Sequence, residues 1–144
     1  MMELIINNAP WQRAAALYVR MCVFVLERGI SLADEFDDAD IDGTVYAVIY
    51  DQALPIATGR LLKEDDTLCR FTRIATLKEY RGQQRGAKII HALEQYAISQ
   101  NFKKAQIHSE LTAKVFYEKQ GYIAVSEVYD EDGVPCQTLE KVFS

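Results

Sequence analysis

Cysteine and proline are scarce in this chain, with three of each among 144 residues. Cys22, Cys69 and Cys136 are odd in number, widely spaced and without a CxxC pair, which argues against a disulfide framework or a cysteine-based metal site and fits a reducing, cytoplasmic setting. No run of 18 apolar residues occurs, and the opening Met-Met-Glu-Leu-Ile-Ile-Asn-Asn lacks a basic leader, so the expectation is a protein neither exported nor membrane-spanning. Basic charge is also short: 16 Lys and Arg face 21 Asp and Glu, for a net charge of −5. Phosphate backbones are held by clustered Lys and Arg, so nucleic acid is disfavoured as a partner. Repeats, low-complexity tracts and Pro/Gly/Ser-rich linkers are absent, and residues 1–144 read as one domain whose 49% hydrophobic content suffices for a core.

The charges present are unevenly placed. Six carboxylates lie between Asp34 and Asp42 (Asp34, Glu35, Asp37, Asp38, Asp40, Asp42), while Lys78, Arg81, Arg85 and Lys88 share a second stretch with Glu79 alone. These runs are either two solvated faces or two poles for different ligands. Along the chain, Glu3–Asn7 reads as a strand, and Asn8 with Pro10 as a helix start. Ala14, Leu17, Met21, Phe24 and Val25 repeat at helical steps, and this helix should stop near Gly29. Three β-rich runs follow, Thr44–Tyr50, Ala53–Leu62 and Thr67–Leu77. A helix from Gly86 to about Asn101 carries the stripe Ile89, Ile90, Leu93 and Ala97. Lys104–Ser109 is a strand, Thr112–Gln120 a short helix closed by Gly121, and Tyr122–Tyr129 and Pro135–Val142 are strands flanking the hairpin signal Asp132-Gly133. The alternation predicts a mixed sheet with helices packed on it.

Chemistry concentrates between Arg73 and Ile90, where a strand passes through a turn bearing Gly82 and Gly86 into a helix. Unpaired N–H groups and the positive end of the helix dipole make such a turn a candidate phosphate or pyrophosphate site, and a plain solvated turn is the other reading. Walker A and GxGxxG spacings are both missing.

The segment Arg81-Gly-Gln-Gln-Arg-Gly86 after a strand resembles the pyrophosphate loop of the GCN5-related N-acetyltransferases, the GNAT superfamily. Ala113-Lys-Val-Phe-Tyr-Glu-Lys-Gln-Gly-Tyr122 is similar to the second signature of that family, in the right order along the chain, and the N-terminal Val-Phe-Val-Leu-Glu-Arg-Gly-Ile with the acidic segment resembles a small bacterial ElaA-like and YjcF-like subgroup. The resemblance implies an α/β (α+β) GNAT fold, a mixed, mostly antiparallel twisted sheet of six to seven strands with helices on both faces. It further implies acetyl-CoA as acyl donor, no metal, an amine acceptor and a homodimer.

By that resemblance Ile74, Ala75 and Thr76 lie along the pantetheine arm, Arg81 at the mouth of the loop, and Gly82, Gln83, Gln84, Arg85, Gly86 and Ala87 around the pyrophosphate, with Ala113 and Phe116 also on the cofactor side. Tyr117 matches the tyrosine that protonates the leaving thiolate. Gln84 stands where the family has glycine and Glu110 where it often has Asn or Gln. No nucleophilic triad is required, because the amine attacks directly in a ternary complex. An alkylammonium must first lose a proton, and Glu35 is the first candidate base, with Asp38 second and Glu27 as an alternative at the helix end. His91 reads as exposed, His108 as a strand-end residue that could face the site, Cys136 as a buried thiol or a pocket-lining one, and Cys22 and Cys69 as core. The expected activity is acetyl-CoA-dependent N-acetylation of a primary amine of a small molecule or peptide, the alternative being a catalytically weak acyl-CoA-binding sensor or regulatory module.

Overall fold

The computed structural model describes all 144 residues. Strand β1 (Met2–Asn7) leads into helix α1 (Pro10–Arg20), whose first turn carries Pro10, where the missing N–H is no loss. The cap is Ala9 rather than Asn8, and Asn7 Oδ1 accepts from the Ala9 N–H at 3.0 Å. The helix runs on as a π-helical stretch, Met21–Glu27, in which the Arg28 N–H reaches back five residues to Val23 O at 3.2 Å. Within the acidic segment Ser31 caps a single turn, α2 (Leu32–Glu35). Strands β2 (Val45–Asp51), β3 (Leu54–Lys63) and β4 (Leu68–Thr76) form a meander, α3 (Arg85–Ser99) crosses over, and β5 (Lys104–Glu110) returns parallel to β4. Helix α4 (Lys114–Lys119) precedes β6 (Ile123–Ala124), β7 (Tyr129–Glu131) and β8 (Val134–Val142).

All eight strands belong to one sheet, in the order β1-β2-β3-β4-β5-β8-β6 with β7 also on β8, and every pairing except β4–β5 is antiparallel. The strand expected over Tyr122–Tyr129 is broken into β6 and β7, which raises the number from six or seven to eight. At the tip of β7–β8, Asp132 (φ 53°) and Gly133 (φ 82°) both take left-handed backbone, as a two-residue hairpin turn matched to strand twist requires.

Helices α1 and α3 cover opposite faces. Ala15 and Ala16 of α1 pack on Tyr46 and Val48, whereas Ile89 and Leu93 of α3 share a core with Ala47 and Ile49, and successive strand residues point to opposite sides. The buried face of α1 is not the expected stripe. Ala14 is exposed and Leu17 and Met21 half-buried, while Gln12, Ala15, Ala16, Val19 and Arg20 are buried. Polar Gln12 and Arg20 are tolerated because each is fully bonded to fixed partners. Gln12 Nε2 donates to Ile5 O (2.8 Å) and Tyr46 O (3.0 Å), and its Oε1 accepts from Tyr50 OH (2.6 Å). No helix is long and apolar enough to cross a membrane.

Candidate functional site

Two departures from regular sheet geometry open the site. The β4–β5 ladder lasts only from Leu68–Lys104 to Arg70–Gln106, after which the strands splay, so the β5-facing backbone of the rest of β4 has no strand partner. Opposite β3, the register slips between Thr58 and Arg60, leaving an extra β4 residue at a bulge where Arg73 adopts φ 56°. A non-glycine residue in that region is strained, and bulges turn side chains at such places. The bulge aims Arg73 at the acidic segment, where its Nε lies 3.2 Å from Glu35 Oε2 and its Nη2 3.1 Å from Asp37 Oδ2.

Between the splayed strands lies a cavity of about 620 Å³. Its wall takes Phe24 and Arg28 from the end of the first helix, Asp34, Glu35 and Asp37 from the acidic segment, Arg70 to Ile74 from β4, Ile107 to Glu110 from β5, Ala113 and Tyr117, and Glu131, Asp132, Val134 and Cys136 around the last hairpin. Tyr117 and Glu35 therefore share one cavity. Asp38, Asp40 and Asp42 do not reach it.

Tyr117 is buried, set edge-on to Phe116 (ring centroids 5.0 Å apart) and Tyr122 (6.4 Å), and no protein group hydrogen-bonds its hydroxyl. Burial, reinforced by the Glu110 carboxylate, pushes its pKa up to about 12, so the phenol keeps its proton at neutral pH.

The acidic segment is largely neutralised internally. Arg20, whose side chain is fully buried, bonds Glu35 Oε2 through Nε (2.9 Å) and Asp40 through Nη1 and Nη2 (2.7 and 2.8 Å). Arg60 Nη1 lies 2.7 Å from Asp37 Oδ1 and 3.0 Å from Asp40 Oδ1, and Tyr46 OH donates to Asp40 at 2.6 Å. Asp42 pairs with Arg13 at 3.1 Å. Burial works against ionisation of Asp40, yet the Arg20 and Tyr46 hydrogen bonds and the Arg20 and Arg60 charges outweigh it and hold the carboxyl well below its usual range. At Glu35 burial wins over Arg73 and Arg20, and its pKa is raised. Its Oε2 nonetheless already serves two guanidinium groups. Glu27 is engaged as well, in a bidentate pair with Arg81 (2.7 and 2.6 Å), and the Arg81 hydrogen bond holds its pKa below normal. Arg81 also donates from Nε to Thr76 O at 2.9 Å, tying the end of β4 to the loop before α3.

That loop ends with Gln84 at φ 61°, a left-handed position that glycine would occupy without strain, so glutamine keeps the loop backbone at a conformational cost. The first N–H inside α3 with an acceptor is that of Lys88, bonded to Gln84 O at 3.1 Å, which leaves the amides of Arg85, Gly86 and Ala87 free at the helix start. Arg85 lies over the Tyr80 ring, 5.8 Å from its centroid, and bonds the Gln83 side chain. A Cβ on Gly86 would come within 3.2 Å of Phe116 Cζ, so the two sequence blocks, far apart in the chain, meet across the Gly86 backbone. Ile74 and Ala113 pack against the core beside Phe116, Ala75 is buried, and Gly82 and Gln83 are exposed on the loop.

Glu110 is held across the cavity mouth by Arg28 Nη2, at 3.1 and 3.3 Å from its two oxygens. His91 is exposed on α3, Cys136 is buried and lines the cavity, Cys69 is buried in the core, and Cys22 is half-buried beside it. Nowhere do three or more His, Cys, Asp or Glu side chains gather as a metal site would require. The residues that sequence reasoning missed are Arg20, Arg60 and Arg73. Each looks like an ordinary surface charge in the sequence, and its carboxylate partners come from another element, so no local pattern marks it.

Residues 30–143 match the family model described as the acetyltransferase (GNAT) domain. An uncharacterized acetyltransferase of Streptococcus pyogenes is 47% identical over 110 residues, 76% of this chain and 75% of that protein. A candidate N-acetyltransferase from Lactobacillus plantarum, known from a crystal structure, superposes with a TM-score of 0.94 at 44% identity, covering 98% of this chain and 97% of that one. Escherichia coli ElaA gives a TM-score of 0.84 at 25% identity over 98% and 99% of the two chains. A GNAT family acetyltransferase from Elizabethkingia anophelis with acetyl-CoA bound shares the fold, with a TM-score of 0.69 at 15% identity over 99% and 98%.

Proposed function

Because the chain belongs to the GNAT acetyltransferase family and is an acyltransferase, we propose that it transfers an acetyl group from acetyl-CoA to a primary amine of a small molecule or peptide by direct attack. One observation carries this reading. The opened edge of β4 runs from the free amides at the start of α3 to the cavity lined by Tyr117.

The residues present fit the donor. Three unpaired N–H groups at the positive end of a 15-residue helix suit a pyrophosphate, and the absence of a side chain at Gly86 lets Phe116 pack against the helix start. The β5-facing side of Ile74 and Ala75, which no strand covers, suits an extended arm that bonds as an added strand, with Thr76, whose carbonyl Arg81 holds, at its end. Acetyl-CoA supplies an activated acyl group, so the protein needs no nucleophile of its own. In this reading Tyr117, protonated, lining the cavity and without a protein partner, donates a hydrogen bond and then a proton to the sulfur as the C–S bond breaks. Glu35, engaged by Arg20 and Arg73, holds the β4 bulge and through it the cavity wall. The two departures from the family pattern are accommodated: Gln84 by its left-handed backbone, and Glu110 by Arg28.

The test is release of free thiol from acetyl-CoA with a panel of primary amines, for the native protein and Tyr117→Phe. The reading expects turnover that drops about 100-fold in kcat in the variant, with acetyl-CoA affinity unchanged. Tight acetyl-CoA binding without turnover on any amine, and no effect of the substitution, would favour the sensor instead.

A further inference from the structure

We propose that His108 is the group that takes the proton from the acceptor amine, through Nδ1, and that Gln106 and Glu140 hold its ring in the tautomer this requires. The inference rests on the acetyl-transfer reading above and assigns its base.

The side chains of Gln106, His108 and Glu110 alternate with the buried Ala105, Ile107 and Ser109, so they occupy the face of β5 away from the α3 core. His108 lines the cavity together with Tyr117, Glu35 and Glu110. Its Nε2 lies 3.2 Å from Gln106 Oε1, and the amide end of Gln106 donates through Nε2 to Glu140 Oε2 at 3.0 Å. A carboxylate only accepts, so it fixes which way the Gln106 amide points, and the oxygen left facing the ring must receive a hydrogen. Nε2 therefore carries the proton of the neutral imidazole, and Nδ1 carries the lone pair. No protein group hydrogen-bonds Nδ1. Tyr129, edge-on to the imidazole with centroids 6.3 Å apart, further restricts the ring.

Three carboxylates that compete for the role are otherwise engaged, and Asp34, Glu131 and Asp132, which also line the cavity, are exposed. Glu35 Oε2 serves two guanidinium groups, Glu27 is bidentate with Arg81, and Glu110 is held by Arg28. The charged groups facing His108 come from several elements: Arg70 of β4, Glu64 in the turn before it, Glu131 of β7, and Glu140 of β8 through Gln106. Burial and Arg70 together outweigh Glu131 and Glu64 and lower the His108 pKa, so the ring is neutral at pH 7 and free to accept. In the step itself Nδ1 takes one proton from the ammonium and the freed lone pair forms the new C–N bond as the C–S bond breaks. The sulfur takes the Tyr117 proton, the second nitrogen proton returns to Tyr117 through water, and His108 gives its proton to solvent.

Two measurements on the full chain test this. With only two histidines, ¹⁵N ring NMR resolves His108 by its absence in His108→Gln. It should report a neutral ring at pH 7 protonated on Nε2, a state lost as a mixture of tautomers in Gln106→Leu. In acetyl transfer, n-propylamine serves as an acceptor that must be deprotonated, and hydroxylamine as one already neutral at pH 7. His108→Gln should lower the propylamine rate about 100-fold, abolish its low-pH limb, and leave both the hydroxylamine rate and acetyl-CoA affinity nearly unchanged. A proton on Nδ1, or a propylamine rate and limb that survive His108→Gln, overturns the inference and leaves the acetyl-transfer reading standing. Failure of the native protein to bind acetyl-CoA would bring down that reading first.

Discussion

Replacing Asp40 by asparagine tests the buried charge network most severely. The two Asp40 oxygens accept from Arg20 Nη1 and Nη2 at 2.7 and 2.8 Å, from Arg60 Nη1 at 3.0 Å and from Tyr46 OH at 2.6 Å. The side chains of Arg20 and Arg60 are 0% and 2% exposed, so water does not take over when a partner is lost. Asparagine keeps the shape, removes the charge and turns an NH₂ group toward a guanidinium that can only donate. Removing one partner of a buried ion pair costs about 3–5 kcal/mol. Glu35 and Asp37 remain, so the low end applies, and at about 3 °C per kcal/mol for a domain of this size the melting point should fall by about 10 °C. The Asp38→Asn control, at an exposed residue without an ion-pair partner, should stay within about 0.5 kcal/mol.

The same network sets an acid dependence whose sign follows from linkage. Asp40 and Asp37 have folded pKa values below their unfolded ones, so the unfolded chain binds more protons in acid. The stability they contribute is present above about pH 4 and drains away as the pH falls toward their lowered values. Asp40→Asn should therefore show a shallower loss of stability below about pH 4 than the native chain. Urea unfolding at several pH values measures both effects. A loss below about 1 kcal/mol, the size of an exposed ion pair, together with an unchanged acid slope, would refute the account of the network.

Gln84→Gly relieves a left-handed backbone but frees the unfolded chain, and the balance should be a gain of up to about 1 kcal/mol in denaturant unfolding. Gly86→Val drives a branched side chain into Phe116, whose ring lies 3.2 Å from even a bare Cβ. It should cost about 1–3 kcal/mol of stability and weaken acetyl-CoA binding in calorimetry. Unchanged affinity would remove Gly86 from the donor site.

The fold was legible because its signals are local, and the residues proposed for the donor side rest on signals of the same kind. The glycine-bearing turn, the stripe on α3, the Asp132-Gly133 hairpin and the Tyr117 block each occupy a few adjacent residues. What stayed hidden depends on contacts across the chain. The buried face of α1 includes Gln12 and Arg20, so hydrophobic periodicity pointed to Ala14 and Leu17 instead. The six carboxylates from Asp34 to Asp42 suggest an acidic wall, yet four of them meet arginines from elsewhere in the chain. Sorting the charges by ligand thus holds less well than the runs imply, since Arg81 in the basic stretch is likewise tied to Glu27. The break between β6 and β7 and the bulge at Arg73 are set by how strands must splay, which no single segment announces.

Binding of acetyl-CoA to the native chain bears on all of this most directly. At a ligand concentration of about one hundred times Kd, the folded state should gain about 2.7 kcal/mol, which raises the melting point by several degrees and should register as a one-to-one isotherm in calorimetry. A melting curve unmoved by millimolar acetyl-CoA, with no heat of binding, would contradict the claim that the splayed β4–β5 edge and the free amides of α3 form an acyl-donor site.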